Sequence, residues 1–167
     1  MSAPSHSTCD LCDAHKAGIG KTPHVVAPVF RSFGGRASFC GQVATVRCFE
    51  DNSLVKAALD EAGQGRVLVV DGGGSLRRAL VGGNVAAAAV NNGWAGVVVH
   101  GAVRDVAELA ALDLGIFALA LNPTPTEKRN QGERDVALQV EGVWIRPGDL
   151  LVADADGVVV LPIASQE

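Results

Sequence analysis

The chain contains 167 residues, of which 48% are hydrophobic and 19% are charged, and its formal net charge is −4. This length predicts a single domain, residues 1–167, with a sizeable core. The acidic balance argues against direct nucleic-acid binding over a broad basic face. No apolar run approaches the roughly 20 residues of a membrane helix, and the N-terminal segment lacks a signal-peptide pattern, so we expect a cytoplasmic protein that does not bind membranes.

The N-terminal segment predicts a short helix that follows a frayed terminus at residues 1–7. Thr8 is suited to cap this helix, which extends to Lys16. Four side chains here are of the types that bind zinc: His6, Cys9, Cys12 and His15. Because ligands at three-residue steps drift around a helix, they rarely converge on one ion. A helix that buries Cys12 as a compact apolar side chain is therefore the favoured interpretation.

Strands and helices then alternate along the chain. Strands are predicted at Phe39–Phe49, Arg66–Val70, Gly96–Val99 and Ile116–Leu121, and helices between Ser53 and Gly63, around Val85–Asn92 and at Asp105–Leu112. This alternation predicts right-handed crossovers and a parallel β-α-β core. The last segment carries turns at residues 146–149 and 154–157, which predict antiparallel strands that flank the core.

The polar, proline-bearing segment Asn122–Asp135 is too long for a simple connection. Loops of this length are usually functional or lie at an interface. We therefore expect this loop to contribute to a site or to a subunit contact.

Two glycine-rich turns raise the question of ligand binding. Gly72, Gly73 and Gly74 follow a strand, but a dinucleotide fingerprint needs glycine where Arg77 stands, and no Gly-Lys-Ser/Thr follows. Nucleotide binding is therefore not supported. The pair at Gly82 and Gly83 precedes a helix, whose first N–H groups can bind a carboxylate, but glycines alone are a weak signal for such a site, and the structural alternative is a tight strand-to-helix turn.

The third candidate follows the strand VVVHG, at the edge where open α/β sheets bind ligands. Arg104 is suited to hold a carboxylate or an enolate, and Asp105 is an oxygen ligand suited to Mg²⁺. Glu108 lies three residues further on and can orient a metal-bound water. The purely structural alternative is a capping box, with Asp105 as N-cap and Glu108 at the third helical position. Spacing alone favours the capping box.

Four segments resemble the family of regulator of ribonuclease activity A and 4-hydroxy-4-methyl-2-oxoglutarate aldolase: FRSFGGRASFCGQVATVRCFEDN, RVLVVDGGGSLRRALVGGNVA, NNGWAGVVVHGAVRDVAELAALDLGIFAL and EGVWIRPGDLLVADADGVVVLP. The resemblance implies an α/β fold of the swivelling-domain type, a β/β/α sandwich with a parallel core and flanking antiparallel strands. It also implies a homotrimeric ring with sites at the subunit interfaces.

The resemblance implies one of two functions. Aldolases of the family cleave 4-hydroxy-4-methyl-2-oxoglutarate to two pyruvates with a divalent cation, Mg²⁺ or Mn²⁺. They also decarboxylate oxaloacetate, because both reactions pass through a pyruvate enolate. Regulators of the family instead bind and inhibit the endoribonuclease E. The intact Arg104-Asp105 pair favours the enzyme.

The family's site residues can be placed on this sequence. Its Arg-Asp pair falls on Arg104, which would contact the keto acid, and on Asp105, which would ligate the metal. Its substrate-binding backbone loop falls on Gly82, Gly83, Asn84 and Val85. Long aldolases carry an acidic residue where Gly83 stands, so this chain fits the shorter variant, with Glu108 as the nearby acid.

Overall fold

A computed structural model describes residues 6–163. The helices are α1 (Thr8–Lys16), α2 (Ser53–Leu59), α3 (Gly83–Asn91) and α4 (Val106–Ala110). The strands are β1 (His24–Val25), β2 (Arg31–Ser32), β3 (Phe39–Arg47), β4 (Val67–Asp71), β5 (Ala79–Val81), β6 (Gly96–Val103), β7 (Gly115–Leu121), β8 (Glu133–Arg134), β9 (Leu138–Val140), β10 (Val143–Ile145), β11 (Leu150–Asp154) and β12 (Gly157–Leu161). No helix within residues 6–163 has the length and hydropathy needed to cross a bilayer.

The main sheet has the strand order β1-β12-β11-β3-β4-β6-β7-β2, with β5 paired to β6 and β8 paired to β3. Strands β3, β4, β6 and β7 are mutually parallel, and β1, β2, β11 and β12 pair antiparallel to their neighbours. Helices α2, α3 and α4 lie in the connections between the parallel strands. The sequence-based prediction of a parallel core with flanking antiparallel strands is therefore confirmed.

The sheet is covered on both faces, which explains its continuous apolar strands. Successive side chains of β4 point to opposite faces, so Leu68 packs with the helices while Val67 and Val69 pack with β11, β12 and the β9–β10 hairpin. Trp94, which is 2% exposed, lies on the helical side. These layers form the β/β/α sandwich expected from the sequence.

On the hairpin side, Phe39 fills the space that two glycines leave open. A Cβ atom at Gly96 or Gly115 would overlap the Phe39 ring. The ring also meets Phe117 edge to face, with centroids 5.3 Å apart. The glycines therefore let an aromatic ring lie directly against the backbones of two adjacent parallel strands.

The N-terminal helix differs from the sequence-based prediction in its cap and in its buried side. Ser7, rather than Thr8, is the N-cap and forms a capping box with Asp10. Ser7 is thus part of an ordered cap, and residues 1–5 of the predicted frayed terminus lie outside the described range. Thr8 is the buried residue of the helix and binds Asp154 through its N–H and hydroxyl groups, whereas Cys12 is only half-buried.

Several element boundaries also differ from the predictions. Helix α2 ends at Leu59, before Gly63, whose backbone lies against the Trp94 side chain instead of capping a helix. Strand β6 continues past Val99 to Val103 through a register shift against β7. Strand β5 is absent from the sequence-based prediction, because three apolar residues are too few to show the periodicity that identifies a strand.

Candidate functional site

The Arg104-Asp105 pair and the Gly82-Gly83 turn meet at the carboxyl ends of two adjacent parallel strands. Strand β5 ends before Gly82 and β6 ends before Arg104, whose backbone N–H donates to Val81 O at 3.0 Å. A cavity of about 170 Å³ opens at this edge. Its lining residues are Asn52, Lys56, Ala79, Gly82, Gly83, Asn84, Val85, Arg104, Asp105, Pro125, Thr126 and Lys128.

The Asp105 side chain does not cap its own helix. Its backbone is left-handed, with φ 64° and ψ 47°, and its carboxylate makes no capping bond in α4. Instead, Oδ2 accepts a hydrogen bond of 2.8 Å from the N–H of Gly83, the first residue of α3. The capping-box hypothesis is therefore wrong, because the left-handed backbone turns the carboxylate away from the first turn of α4.

The two glycines allow acidic and basic side chains to approach the start of α3. A Cβ at Gly82 would lie 2.8 Å from Asp105 Oδ2 and 3.3 Å from Arg104 Nε, and a Cβ at Gly83 would overlap the Glu108 carboxylate. Asp105 and Glu108 therefore both lie close to the backbone at the start of α3.

The backbone loop predicted to bind substrate is partly occupied by the protein itself. The N–H of Gly83 is bound to Asp105. Within residues 6–163, the N–H groups of Asn84 and Val85 have no hydrogen-bond partner in the structure, as expected for the first turn of a helix. These two groups remain available to an anion, and the role of the loop in substrate binding stays a prediction.

Arg104 is half-buried, and Nη1 donates to Pro123 O at 3.3 Å, which fixes the guanidinium against the long loop. Two further cationic side chains line the cavity, Lys56 and Lys128, and the sequence analysis did not predict either as a site residue. Lys56 also pairs with Asp60 at 2.9 Å. Three cationic side chains around one small cavity favour a ligand with more than one carboxylate.

The long loop reaches the cavity through contacts with the start of α2. Thr126 Oγ1 donates to Asn52 Oδ1 at 2.8 Å, and Asn52 Nδ2 donates to Leu80 O at 3.1 Å. Asn52 is buried and links the loop to β5. The expectation that the loop contributes to a site agrees with its position, since Pro125, Thr126 and Lys128 line the cavity. No local pattern marks Asn52 or Lys128, because their contacts join distant parts of the chain.

The donors at this edge fit a hydrated Mg²⁺ ion. Within residues 6–163, no three His, Cys, Asp or Glu side chains converge as a ready metal cluster. Mg²⁺ takes one or two carboxylates and keeps several waters. Asp105 binds Gly83 through Oδ2 alone, so Oδ1 is available to a cation, and Glu108 adds a second carboxylate nearby. The zinc-binding types of side chain in the N-terminal helix are part of the same result. Within residues 6–163 they form no metal cluster, and Cys9 is exposed while Cys12 is half-buried.

The family model described as RraA-like: Aldolase/RraA matches residues 8–160. The chain belongs to this family. A relative from Albidiferax ferrireducens, named "Putative 4-hydroxy-4-methyl-2-oxoglutarate aldolase", is 63% identical over 164 residues, covering 93% of this chain and 95% of the relative. A protein of the same name from Cupriavidus necator is 57% identical over 154 residues, covering 92% of this chain and 93% of the relative.

Solved structures show the same RraA fold. The RNA-processing inhibitor RraA from Thermus thermophilis is 51% identical, with a TM-score of 0.89 over 99% of this chain and 96% of that one. A Geobacillus kaustophilus structure, described as an S-adenosylmethionine: 2-dimethylmenaquinone methyltransferase, is 45% identical, with a TM-score of 0.88 over 93% and 94% of the two chains. The swivelling-type α/β fold expected from the sequence is thus confirmed.

Proposed function

We propose that this RraA-like protein is a carbon–carbon lyase that cleaves 4-hydroxy-4-methyl-2-oxoglutarate to two pyruvates. We also propose that it decarboxylates oxaloacetate through the same pyruvate enolate. The observation that carries the proposal is the Asp105 carboxylate, which contacts the start of α3 instead of capping α4 and lines a cavity beside Arg104. The names of the two relatives support the same reaction.

The charges around the cavity suit these substrates, since both are dicarboxylates. The N–H groups of Asn84 and Val85, which have no partner within residues 6–163, would donate hydrogen bonds to the carboxylate next to the keto group. Lys56 of α2 and Lys128 of the long loop, which also line the cavity, suit the distal carboxylate. A substrate held at both ends would have its keto group near Arg104.

Both reactions break a bond whose electron pair must be delocalised into the keto group. In the aldol cleavage, the C4 hydroxyl loses a proton and the bond between C3 and C4 breaks. In the decarboxylation, CO₂ leaves instead, and protonation of C3 completes pyruvate in both cases. Arg104 stabilises the negative charge that develops on the keto oxygen. Glu108, whose carboxylate lies against Gly83, would orient the metal-bound water that exchanges these protons.

We propose that Asp105 ligates a divalent cation, Mg²⁺ or Mn²⁺, and that Glu108 holds it through a water, with further waters and substrate oxygens completing its ligands. The bound cation would supply Lewis-acid stabilisation of the enolate charge. The free oxygen of Asp105 and the neighbouring Glu108 carboxylate support this assignment.

Pyruvate release tests the function directly. The purified protein is incubated with each substrate, with Mg²⁺ and with excess chelator, and pyruvate is measured by coupling to lactate dehydrogenase. We expect pyruvate release from both substrates. The chelator should abolish this release, and added Mg²⁺ should restore it. No release above the uncatalysed rate with either substrate would contradict the lyase assignment.

We further propose that the protein forms a homotrimer that uses the cavity edge as a contact surface. Three apolar side chains near this edge are exposed: Leu76 at 47%, Val106 at 47% and Leu121 at 43%. Val106 directly follows Asp105, so an interface here would place the cavity beside a second subunit. Light scattering should give three times the chain mass, and Val106→Asp should lower it. A monomer at micromolar concentration would contradict the trimer.

A second candidate function is binding of the endoribonuclease E. The observation that favours it is the 51% identity to a structure described as an RNA-processing inhibitor. Binding of the ribonuclease in a pull-down, together with slower cleavage of its RNA substrate, would support this role. Because the assay needs no pyruvate chemistry, it distinguishes a regulator from a lyase and detects a protein that does both.

A further inference from the structure

A buried carboxylate outside the proposed reaction centre binds the backbone of the long loop. Asp51 is 3% exposed and lies between β3 and α2. Its Oδ2 accepts hydrogen bonds from the N–H groups of Arg129 at 2.8 Å and Gln131 at 3.2 Å. Its Oδ1 accepts from the N–H of Ser53 at 2.9 Å and from the Ser53 hydroxyl. One side chain therefore joins the loop to the start of α2.

The hydrogen bonds that attach the loop lie on both sides of the cavity residue Lys128. Thr126 is held by Asn52 on one side, and Arg129 and Gln131 are held by Asp51 on the other. Lys128 lies between these attachments and lines the cavity. Its own side chain is exposed, so the position of its ammonium group depends on the backbone that carries it. Fixing residues 126–131 therefore fixes where this cation can act.

The attachment depends on the charge of Asp51. Burial opposes ionisation, but the hydrogen bonds from Ser53, Arg129 and Gln131 outweigh it and hold the pKa below its usual range. The side chain is therefore ionised and accepts through both oxygens. An asparagine has one acceptor oxygen and an NH₂ group, so it would leave backbone N–H groups of the loop or of Ser53 without a partner.

We infer that Asp51 is a positioning residue that fixes segment 126–131 and so places Lys128 at the cavity wall. The structural part of this inference stands on the hydrogen bonds alone. Its kinetic part rests on the proposed lyase function, with Lys128 binding the distal carboxylate of the substrate.

Limited trypsin digestion tests the structural part, because trypsin cleaves after Lys128 and Arg129. In Asp51→Asn, we expect cleavage at these bonds to be at least about tenfold faster than in the parent, since losing charged acceptors for two N–H groups favours local opening. Asp149→Asn is the matched control. Asp149 is equally buried, at 2%, and accepts from the N–H groups of Arg146 and Ile163, outside the loop.

The two variants give opposite outcomes if the inference is correct. Faster cleavage after Lys128 and Arg129 in Asp51→Asn, but not in Asp149→Asn, supports it. Equal cleavage of these bonds in both variants would show general loosening and would overturn it. Parent-like cleavage of Asp51→Asn would overturn it as well.

Steady-state kinetics with oxaloacetate test the kinetic part. We expect Asp51→Asn to raise KM about tenfold while lowering kcat much less, as Lys128→Ala should do. Because Asp51 acts through Lys128, the double variant should match Lys128→Ala alone. If the increases in KM caused by the two substitutions multiply in the double variant, the kinetic part is overturned. A parent that releases no pyruvate contradicts the proposed function instead, and the trypsin comparison still decides whether Asp51 fixes the loop.

Discussion

Asp105 and Gly83 join two helices at the edge of the parallel sheet. The carboxylate of the residue that precedes α4 accepts the first N–H of α3 at 2.8 Å, although the two residues are 22 positions apart. The bond uses one carboxylate oxygen, and the other makes no hydrogen bond within residues 6–163. Asp105 therefore combines a structural contact with an available charge, and the two contributions can be separated by substitution.

Asp105→Asn removes the charge and keeps an oxygen that can accept from Gly83. Asparagine also tolerates the left-handed backbone. We expect pyruvate release to fall by about a hundredfold or more, because charge stabilisation at the reacting centre is lost. We expect the free energy of unfolding to fall by no more than about 1 kcal/mol, because the negative charge at the start of α3 is lost while an acceptor oxygen remains. Turnover assays and urea unfolding measure the two effects.

Asp135→Asn is the control for this variant. Asp135 is an exposed aspartate that also has a left-handed backbone, with φ 58°, and it does not line the cavity. Its turnover should equal that of the parent. Undiminished pyruvate release by Asp105→Asn would exclude Asp105 from the chemistry.

Gly83→Ala should separate activity from stability. The new Cβ would overlap the Glu108 carboxylate, which is the flexible end of a long side chain and can move away. Because alanine favours the helix by up to about 1 kcal/mol relative to glycine, we expect the free energy of unfolding to stay level or rise. Turnover should fall, since the Glu108 carboxylate leaves its position beside Asp105. Thermal unfolding and pyruvate release together check this.

Glu108→Ala provides the matching comparison, because it removes the carboxylate without changing the backbone. If displacement of Glu108 explains Gly83→Ala, the double variant should be no slower than Glu108→Ala alone. A double variant much slower than both single variants would show that Gly83 contacts the substrate directly.

Asp154→Asn should reduce the loss of stability in acid. Burial opposes ionisation of Asp154, but hydrogen bonds from Thr8, Asp156 and Gly157 outweigh it and lower its pKa. A lowered folded-state pKa contributes stability above the unfolded value of about 3.9, and this contribution is lost as the pH falls through the folded value. At neutral pH we expect a loss of about 1 kcal/mol, given partial exposure.

Urea unfolding between pH 3 and pH 7 measures this dependence. The curve of Asp154→Asn should be flatter than that of the parent. Asp13→Asn is the control, because Asp13 is an exposed residue of the same helix α1. Its curve should follow the parent, and equal flattening by both substitutions would contradict the assignment to Asp154.

Gly115→Ala should destabilise the fold without touching the cavity. The added methyl group would overlap the Phe39 ring, which is 2% exposed and has little room to move. Overpacking of this kind costs about 1–3 kcal/mol. The urea midpoint should fall, and adding Phe39→Leu should restore part of the loss by vacating space. A double variant less stable than both single variants would argue against overlap as the cause.

The sequence predicted the parallel strands because each is apolar on both faces. The segment Val67–Val70 is such a case: alternate residues pack into different layers, so both sets must be hydrophobic. The positions of Arg104 and Asp105 at the end of a strand followed from the same pattern. Their roles in the reaction stay predictions.

Other features depend on the backbone and on distant contacts, which local patterns do not encode. Asp105 and Glu108 have the spacing of a capping box, but a left-handed backbone at Asp105 turns the carboxylate toward another helix. Thr126 and Asn52 meet across 74 positions of sequence. Lys128 reaches the cavity through such contacts, so no spacing rule could have identified it.

The outermost strands of the main sheet, β1 and β2, are each only two residues long. A sheet edge this short offers few backbone groups to an incoming strand, so a second chain gains little by extending the ladder. The fold is thereby protected against fibril growth by strand addition. Short edges of this kind favour association through side-chain surfaces, where individual substitutions can adjust the contact without disturbing the sheet.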